Sequence, residues 1–280
     1  MFNSKKGISV RDVPEANIHG WMDPQSPNYN SVFAQAIFHY SARAEKQDRF
    51  EACVATNEMK DAAWKHGHRD QIILDGTFGV SDRRLLLFII MVVDDERKGI
   101  PVAFLFFSAP TGNKQSSAGY NTDILTKLLS AWKNDLKQYK PGQEFEPVSA
   151  ITDTDMKERA ALLNVFLDIV LLICRFHLRQ SWRNHRNTAL KGDGQVLEDL
   201  RMRMIILETA LPRTHELVVA RKLISDEREI LQDLKTDHPS EVNKATGYQI
   251  GNMPWDVKVQ VSESSFSQAL RHYAEFKNTS

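Results

Sequence analysis

Ile72-Ile73-Leu74-Asp75-Gly76-Thr77-Phe78 is the stretch that decides how this chain reads. An apolar run meets one acid, then a residue with no side chain and a hydroxyl. The same logic recurs at Val148-Ser149-Ala150-Ile151-Thr152-Asp153. A carboxylate held at the end of a buried strand is costly to leave unpaired. Two of them imply a common purpose, and a shared cation is the simplest.

Outward from the first stretch, residues 72–80, 85–93 and 101–108 read as strands joined by short turns at 81–83 and 94–99. Short joints between successive strands favour antiparallel hairpins. Ile124, Leu125, Leu128, Leu129, Trp132 and Leu136 then line one face of a helix that Asn121 or Thr122 caps. Residues 148–152 form a fourth strand. Met156, Ala160, Leu163 and Leu167 predict a helical stripe, and residues 169–173 a fifth strand. Strand, helix, strand with short joints is a parallel crossover unit. Three hairpin strands followed by parallel units, with an acid ending strands one and four, match a ribonuclease H-like α/β plan. That plan is a mixed five-stranded sheet with flanking helices. Ahead of it, residues 1–30 read as an irregular lead-in and 31–65 as helical, on the spacing of Phe33, Ile37, Tyr40 and Ala44. Behind it, Leu197, Leu200, Met204, Leu207 and Leu211, then Pro212, then Leu217, Ile224, Leu231 and Leu234 predict an antiparallel helical hairpin. Phe266, Leu270 and Tyr273 suggest a last short helix.

The chain has 280 residues, 42% of them hydrophobic, which suffices for a sizeable core. Its formal net charge of +0 excludes a uniformly basic nucleic-acid binder and leaves room for a local basic patch. Two cysteines make no disulfide framework, which points to a reducing compartment. No apolar leader follows Met1. The longest apolar run, residues 85–93, falls far short of the roughly 20 residues that span a membrane. The expectation is a soluble intracellular protein with no membrane partner.

In this sheet plan the first and fourth strands are neighbours, so Asp75 and Asp153 meet at one edge. Hard oxygen ligands there suit Mg²⁺ or Mn²⁺. Such ions activate a water or a 3′-hydroxyl and stabilise the leaving oxygen of a phosphodiester. Each Asp alone also reads as a turn residue after its strand. Asp155 has two readings: a metal ligand, or the N-cap of the next helix, with Glu158 completing a capping box. Cys174-Arg175-Phe176-His177 is a C-x-x-H unit. A zinc site takes four ligands; even with His185 this region offers three, so zinc is not expected, and a packed thiol beside a hydrogen-bonded His177 is the plainer reading. Between Cys174 and Gly192 there is no acid, while Arg175, Arg179, Arg183 and Arg186 surround Trp182. This reads as phosphate contact with base stacking, or as an ordinary solvated face.

These motifs, in order, resemble a Mutator-like element (MULE) transposase of the DDE superfamily, and the wider sequence is most similar to fungal members. The resemblance is carried by Leu74-Asp75-Gly76-Thr77-Phe78-Gly79-Val80, Gly99-Ile100-Pro101-Val102-Ala103-Phe104, Ile151-Thr152-Asp153-Thr154-Asp155, residues 160–166 and Cys174-Arg175-Phe176-His177-Leu178-Arg179-Gln180. It covers roughly residues 60–190. It implies a ribonuclease H-like fold and divalent metal at Asp75 and Asp153 as first and second acids, with Cys174 and His177 as the family's C-x-x-H. It also implies transposon-end DNA as partner, compatibility with a homo-oligomer, and a nuclear location. The domains it suggests are a flank at 1–65, the transposase core at 66–191 and a truncated helical insertion at 192–280. The family's third acid, a Glu beyond that insertion, has no counterpart in context. Glu208, Glu216, Glu227 and Glu229 read as solvated hairpin faces, and Glu275 is the nearest stand-in. The family's N-terminal zinc-type module is also missing.

The expectation is therefore a catalytic-domain fragment for DNA cleavage and strand transfer, inactive alone. The alternative is a domesticated, non-catalytic nuclear protein that binds DNA or a partner and retains the fold.

Overall fold

Alternation is strictest along residues 85–93: Leu86, Phe88, Ile90 and Val92 are buried, and the residues between them are half-buried. A two-residue period with one buried face is what a sheet demands. The computed structural model describes residues 14–43, 48–77, 85–109, 120–214 and 216–242. The chain divides into two compact units, Met1–Leu172 and Ile173–Ser280.

In the first unit the elements are α1 (Pro14–Met22), α2 (Ser31–Ala36), β1 (Ile37–Ser41), β2 (Glu51–Val54), α3 (Asn57–His66), β3 (Gln71–Thr77), β4 (Leu85–Val93), β5 (Gly99–Ser108), α4 (Thr122–Tyr139), β6 (Ser149–Thr152), α5 (Met156–Val165) and β7 (Val170–Ile173). The strands form one mixed sheet in the order β1-β2-β5-β4-β3-β6-β7. β3, β4 and β5 pair antiparallel, as their short joints predict, and β3 pairs β6 in parallel. The buried sides of β3, β4 and β5 share one core with Leu125, Leu128 and Trp132 of α4 and Ala161 and Leu162 of α5. Each Leu, Ile, Val or Phe side chain among them contributes about 1.5–3 kcal/mol on burial. All six apolar positions expected to line α4 are buried, and Asn121 caps it by accepting from the Ile124 N–H.

The protein is α/β with flanking helices, but the sheet has seven strands rather than five. β1 and β2 add an antiparallel extension to the outer edge of β5. The helix expected over 31–65 is instead α2, β1, β2 and α3, and α1 occupies part of the lead-in expected to be irregular. The four-residue β2 contains an acid, which hides it in the sequence. Glu51 is buried there because His39 Nε2 lies 2.6 Å away and Lys127 Nζ 2.7 Å away. The stripe expected on α5 also faces the wrong way. Met156, Leu163 and Leu167 are exposed, Leu167 by 82%, and the buried face is Glu158, Ala161 and Leu162.

The second unit contains α6 (Arg175–Ala189), α7 (Gln195–Ala210), a 3₁₀ turn at Leu211–Arg213 and α8 (Leu217–Asp237). Leu207 and Leu211 cluster with Ala220, while Leu200 and Met204 cluster with Leu231. Positions later on α7 thus meet positions earlier on α8, so the pair is the antiparallel hairpin expected. Leu234 is left exposed. Among the described residues no helix is long and apolar enough to cross a membrane. The turn expected at 81–83, the last helix and Glu275 lie outside the described residues.

Candidate functional site

β3 and β6 run in register, with Gln71 opposite Ser149, Ile72 opposite Ala150 and Ile73 opposite Ile151. Strands in a parallel ladder advance together. The ladder ends at Ile73–Ile151, and its register carried two residues further puts Asp75 opposite Asp153. Alternation sets Asp75 on the sheet face away from buried Leu74. Asp75 does not end its strand: β3 continues to Thr77, paired with β4 through Asp75–Ile89, Gly76–Phe88 and Thr77–Leu87. Asp153 lies one residue past the end of β6. Both acids are half-buried.

The loop after β6 is organised by its own carboxylates. Asp153 Oδ1 accepts the Asp155 N–H at 2.6 Å, an Asx turn. Asp155 is the N-cap of α5, its Oδ1 accepting the Lys157 N–H at 2.8 Å. Its Oδ2 accepts the Tyr120 hydroxyl. Burial, and then that carboxylate, raise the pKa of Tyr120, so it stays a donor. Both Asp155 oxygens are committed, which accounts for the residue as a cap.

Glu158 does not complete a capping box. It turns inward, is fully buried, and its Oε2 accepts the Thr152 hydroxyl at 2.7 Å. Oε1 receives no donor. Burial first, and then the charge of Asp153, push the Glu158 pKa up to about 8. Two carboxyls can share a hydrogen bond only while one carries a proton, and the upward shift of Glu158 favours its holding that proton. The opposing cation is Arg159, itself pushed down by burial and raised by Asp153. Gly76 completes this arrangement. A Cβ there would stand 2.8 Å from Phe88 Cε1 and 3.3 Å from Glu158 Oε1. Its bare backbone lets a carboxyl from α5 reach β3. Sequence reasoning missed Glu158. The signal was its spacing to Ala161 and Leu162, three and four residues on, which marks a buried helical face.

On α6, Arg175, Arg179 and Arg183 are exposed. Two residues expected with them are not. Trp182 is 5% exposed and packs with Leu178, Leu207, Leu211 and Ala220, so it presents no face to a base. Arg186 is buried against Glu208, whose carboxyl burial pushes upward. The reason is the four-residue spacing of Leu178, Trp182 and Arg186, which forms the packed stripe. Glu208 and Glu227 are likewise not solvated faces; Glu227 takes a two-pronged contact from Arg203 at 2.8 and 2.9 Å. Cys174 is the backbone N-cap of α6 without a side-chain cap bond, and half-buried His177 follows in the first turn.

Asp75 and Asp153 are the oxygen donors that the topology brings level, and they suit a hard divalent cation in kind. They fall short in number: among the described residues no group of three or more His, Cys, Asp or Glu is arranged to hold a metal ion. In comparison with known proteins, no family model matches the chain and no curated protein matches it.

Proposed function

We propose that the first unit is a ribonuclease H-like core of the Mutator-like DDE transposase kind, that the protein works on DNA in the nucleus, and that it does not cleave DNA alone. The supporting observation is the β5-β4-β3-β6-β7 run, with β3 and β6 parallel and Asp75 level with Asp153. Asp75 and Asp153 would hold Mg²⁺ or Mn²⁺, which when bound supplies an activated water or 3′-hydroxyl at a phosphodiester. Asp155, the ligand suggested alongside them, serves instead as the α5 cap. Two carboxylates leave an ion loosely positioned, and poor positioning is expensive in rate. The exposed arginines of α6 supply phosphate contacts. The partner is transposon-end DNA, and a second copy of the chain is compatible with that role.

The test is Mn²⁺ titration followed by electron paramagnetic resonance, beside a nicking assay on labelled duplex DNA. Weak binding that disappears in Asp75→Asn, with no nicking, supports the reading. Nicking that Asp75→Ala abolishes overturns the claim of inactivity. A second reading, a nuclear DNA- or partner-binding protein that keeps the fold without the chemistry, is favoured by how fully Asp153 is engaged by the Asp155 N–H and Glu158. Absence of any Asp75-dependent Mn²⁺ binding selects it.

A further inference from the structure

Helix α6 has already found its packed side: Leu178, Trp182 and Arg186 are buried. Phe176 lies about 160° from Leu178 and about 120° from Trp182 around the helix, off the packed stripe. It is 64% exposed, the most exposed Phe, Tyr or Trp side chain among the described residues. Its ring meets the neighbouring His177 ring edge-on at 5.3 Å, and packing of the helix does not otherwise explain so exposed a phenyl there. Its neighbours do. Arg175 adjoins it, and Arg179 and Arg183 follow at three and seven residues, all exposed. No acid occurs between Asp168 and Asp193. Phe176 also sits in the first turn, where Cys174 provides no side-chain cap, so the positive end of the helix adds to the arginines. Apolar protein partners do not account for three flanking cations. A polyanion that carries flat apolar groups does.

We propose that the Arg175, Phe176, Arg179 and Arg183 face of α6 is a platform for single-stranded nucleic acid, with one unpaired base stacked on Phe176 and the phosphates beside it held by the arginines. An unpaired base offers its ring to an aromatic side chain without sequence preference, whereas a paired base keeps its faces inside the duplex stack. The inference rests on the reading of α6 as a DNA-contacting helix and narrows it from duplex backbone to a strand with an exposed base.

The experiment is fluorescence anisotropy of the full chain with a labelled oligothymidine single strand and a labelled duplex of equal length, across a series of salt concentrations. Phe176→Ala should weaken single-strand binding about tenfold, leave duplex binding and the salt slope unchanged, and leave the melting temperature unchanged because the ring is exposed. Phe176→Trp should restore the affinity. An Arg179→Ala, Arg183→Ala double variant should weaken both ligands and reduce the single-strand salt slope by about 1.4, roughly 0.7 per phosphate released. The platform is overturned if Phe176→Ala binds the single strand like the parent, or weakens both ligands equally. Arginine-dependent duplex binding in that case leaves the broader DNA reading standing. No binding of either ligand by the parent chain overturns both.

Discussion

Glu158→Gln should make the protein more stable, and increasingly so as pH rises. A carboxyl whose pKa is higher in the folded than in the unfolded chain supports folding fully at acidic pH. That support is lost as pH climbs through the folded value. For Glu158 the interval runs from its ordinary 4.5 to about 8. Each pH unit across it costs about 1.4 kcal/mol, so the parent gives up about 3 kcal/mol by pH 7 and on the order of 4–5 kcal/mol by pH 9. The side chain is fully buried, and desolvation is the largest cause of the shift. Glutamine keeps the acceptor that Thr152 uses, and its amide can donate toward Asp153 in place of the shared proton. The variant should therefore match the parent near pH 4.5 and exceed it by about 3 kcal/mol at pH 7. In a unit of this size that is roughly a 10 °C rise in Tm. Thermal melts by circular dichroism at pH 5, 7 and 9 measure it. Parallel stability curves across that range would refute the reasoning. They would mean that Glu158 is ionised in the fold.

Gly76→Ala should cost about 1–3 kcal/mol of stability by urea unfolding, since the new methyl meets the buried Phe88 ring and the Glu158 carboxyl; an unchanged midpoint would mean that α5 moves freely. Asp155→Ala should cost about 1 kcal/mol through loss of the α5 cap; unchanged stability together with lost Mn²⁺ binding would make Asp155 a ligand. Burial alone would raise Glu51, but hydrogen bonds and charge from His39 and Lys127 overcome it and hold its pKa below the usual range. That support is present above pH ~4.5 and fades as pH falls, so Glu51→Gln should lower stability at pH 7 and flatten the acid limb of the stability profile. An unaltered acid limb would remove Glu51 from the account.

The centre of the sheet was legible because β4 and β5 are long, nearly continuous apolar runs of nine and ten residues set off by short turns, although the burial that alternates along β4 is not visible in a sequence apolar throughout. The α4 helix was legible because its apolar positions coincide with one packed face. The sheet's outer extension was not. β2 has four residues, one of them a buried acid, and no local pattern predicts that His39 and a lysine from α4 will neutralise it. Long-range ion pairing settled that strand, and such pairing leaves no trace in a window of neighbouring residues.

The site divides in the same way. Asp75 and Asp153 stood out because each follows an apolar run, and a parallel register then brings them level. Glu158 and Phe176 were obscured by helix phase. α5 carries apolar residues on both sides, so two stripes compete: Met156, Ala160 and Leu163, or Ala161 and Leu162. The second wins, and it carries Glu158 inward. On α6 the choice between Trp182 and Phe176 is the same choice of phase, and the partner for Arg186 on α7 helps fix it. The consequence for charge is specific. Asp153, Asp155 and Glu158 crowd the end of β6 and the first turn of α5, with Arg159 and Lys157 as the nearby cations. A proton on Glu158 leaves two carboxylates against those two cations, with Asp155 further satisfied by the Tyr120 hydroxyl. Protonation supplies at Asp153 part of what a bound cation would supply, and a cation arriving between Asp75 and Asp153 would compete with that proton.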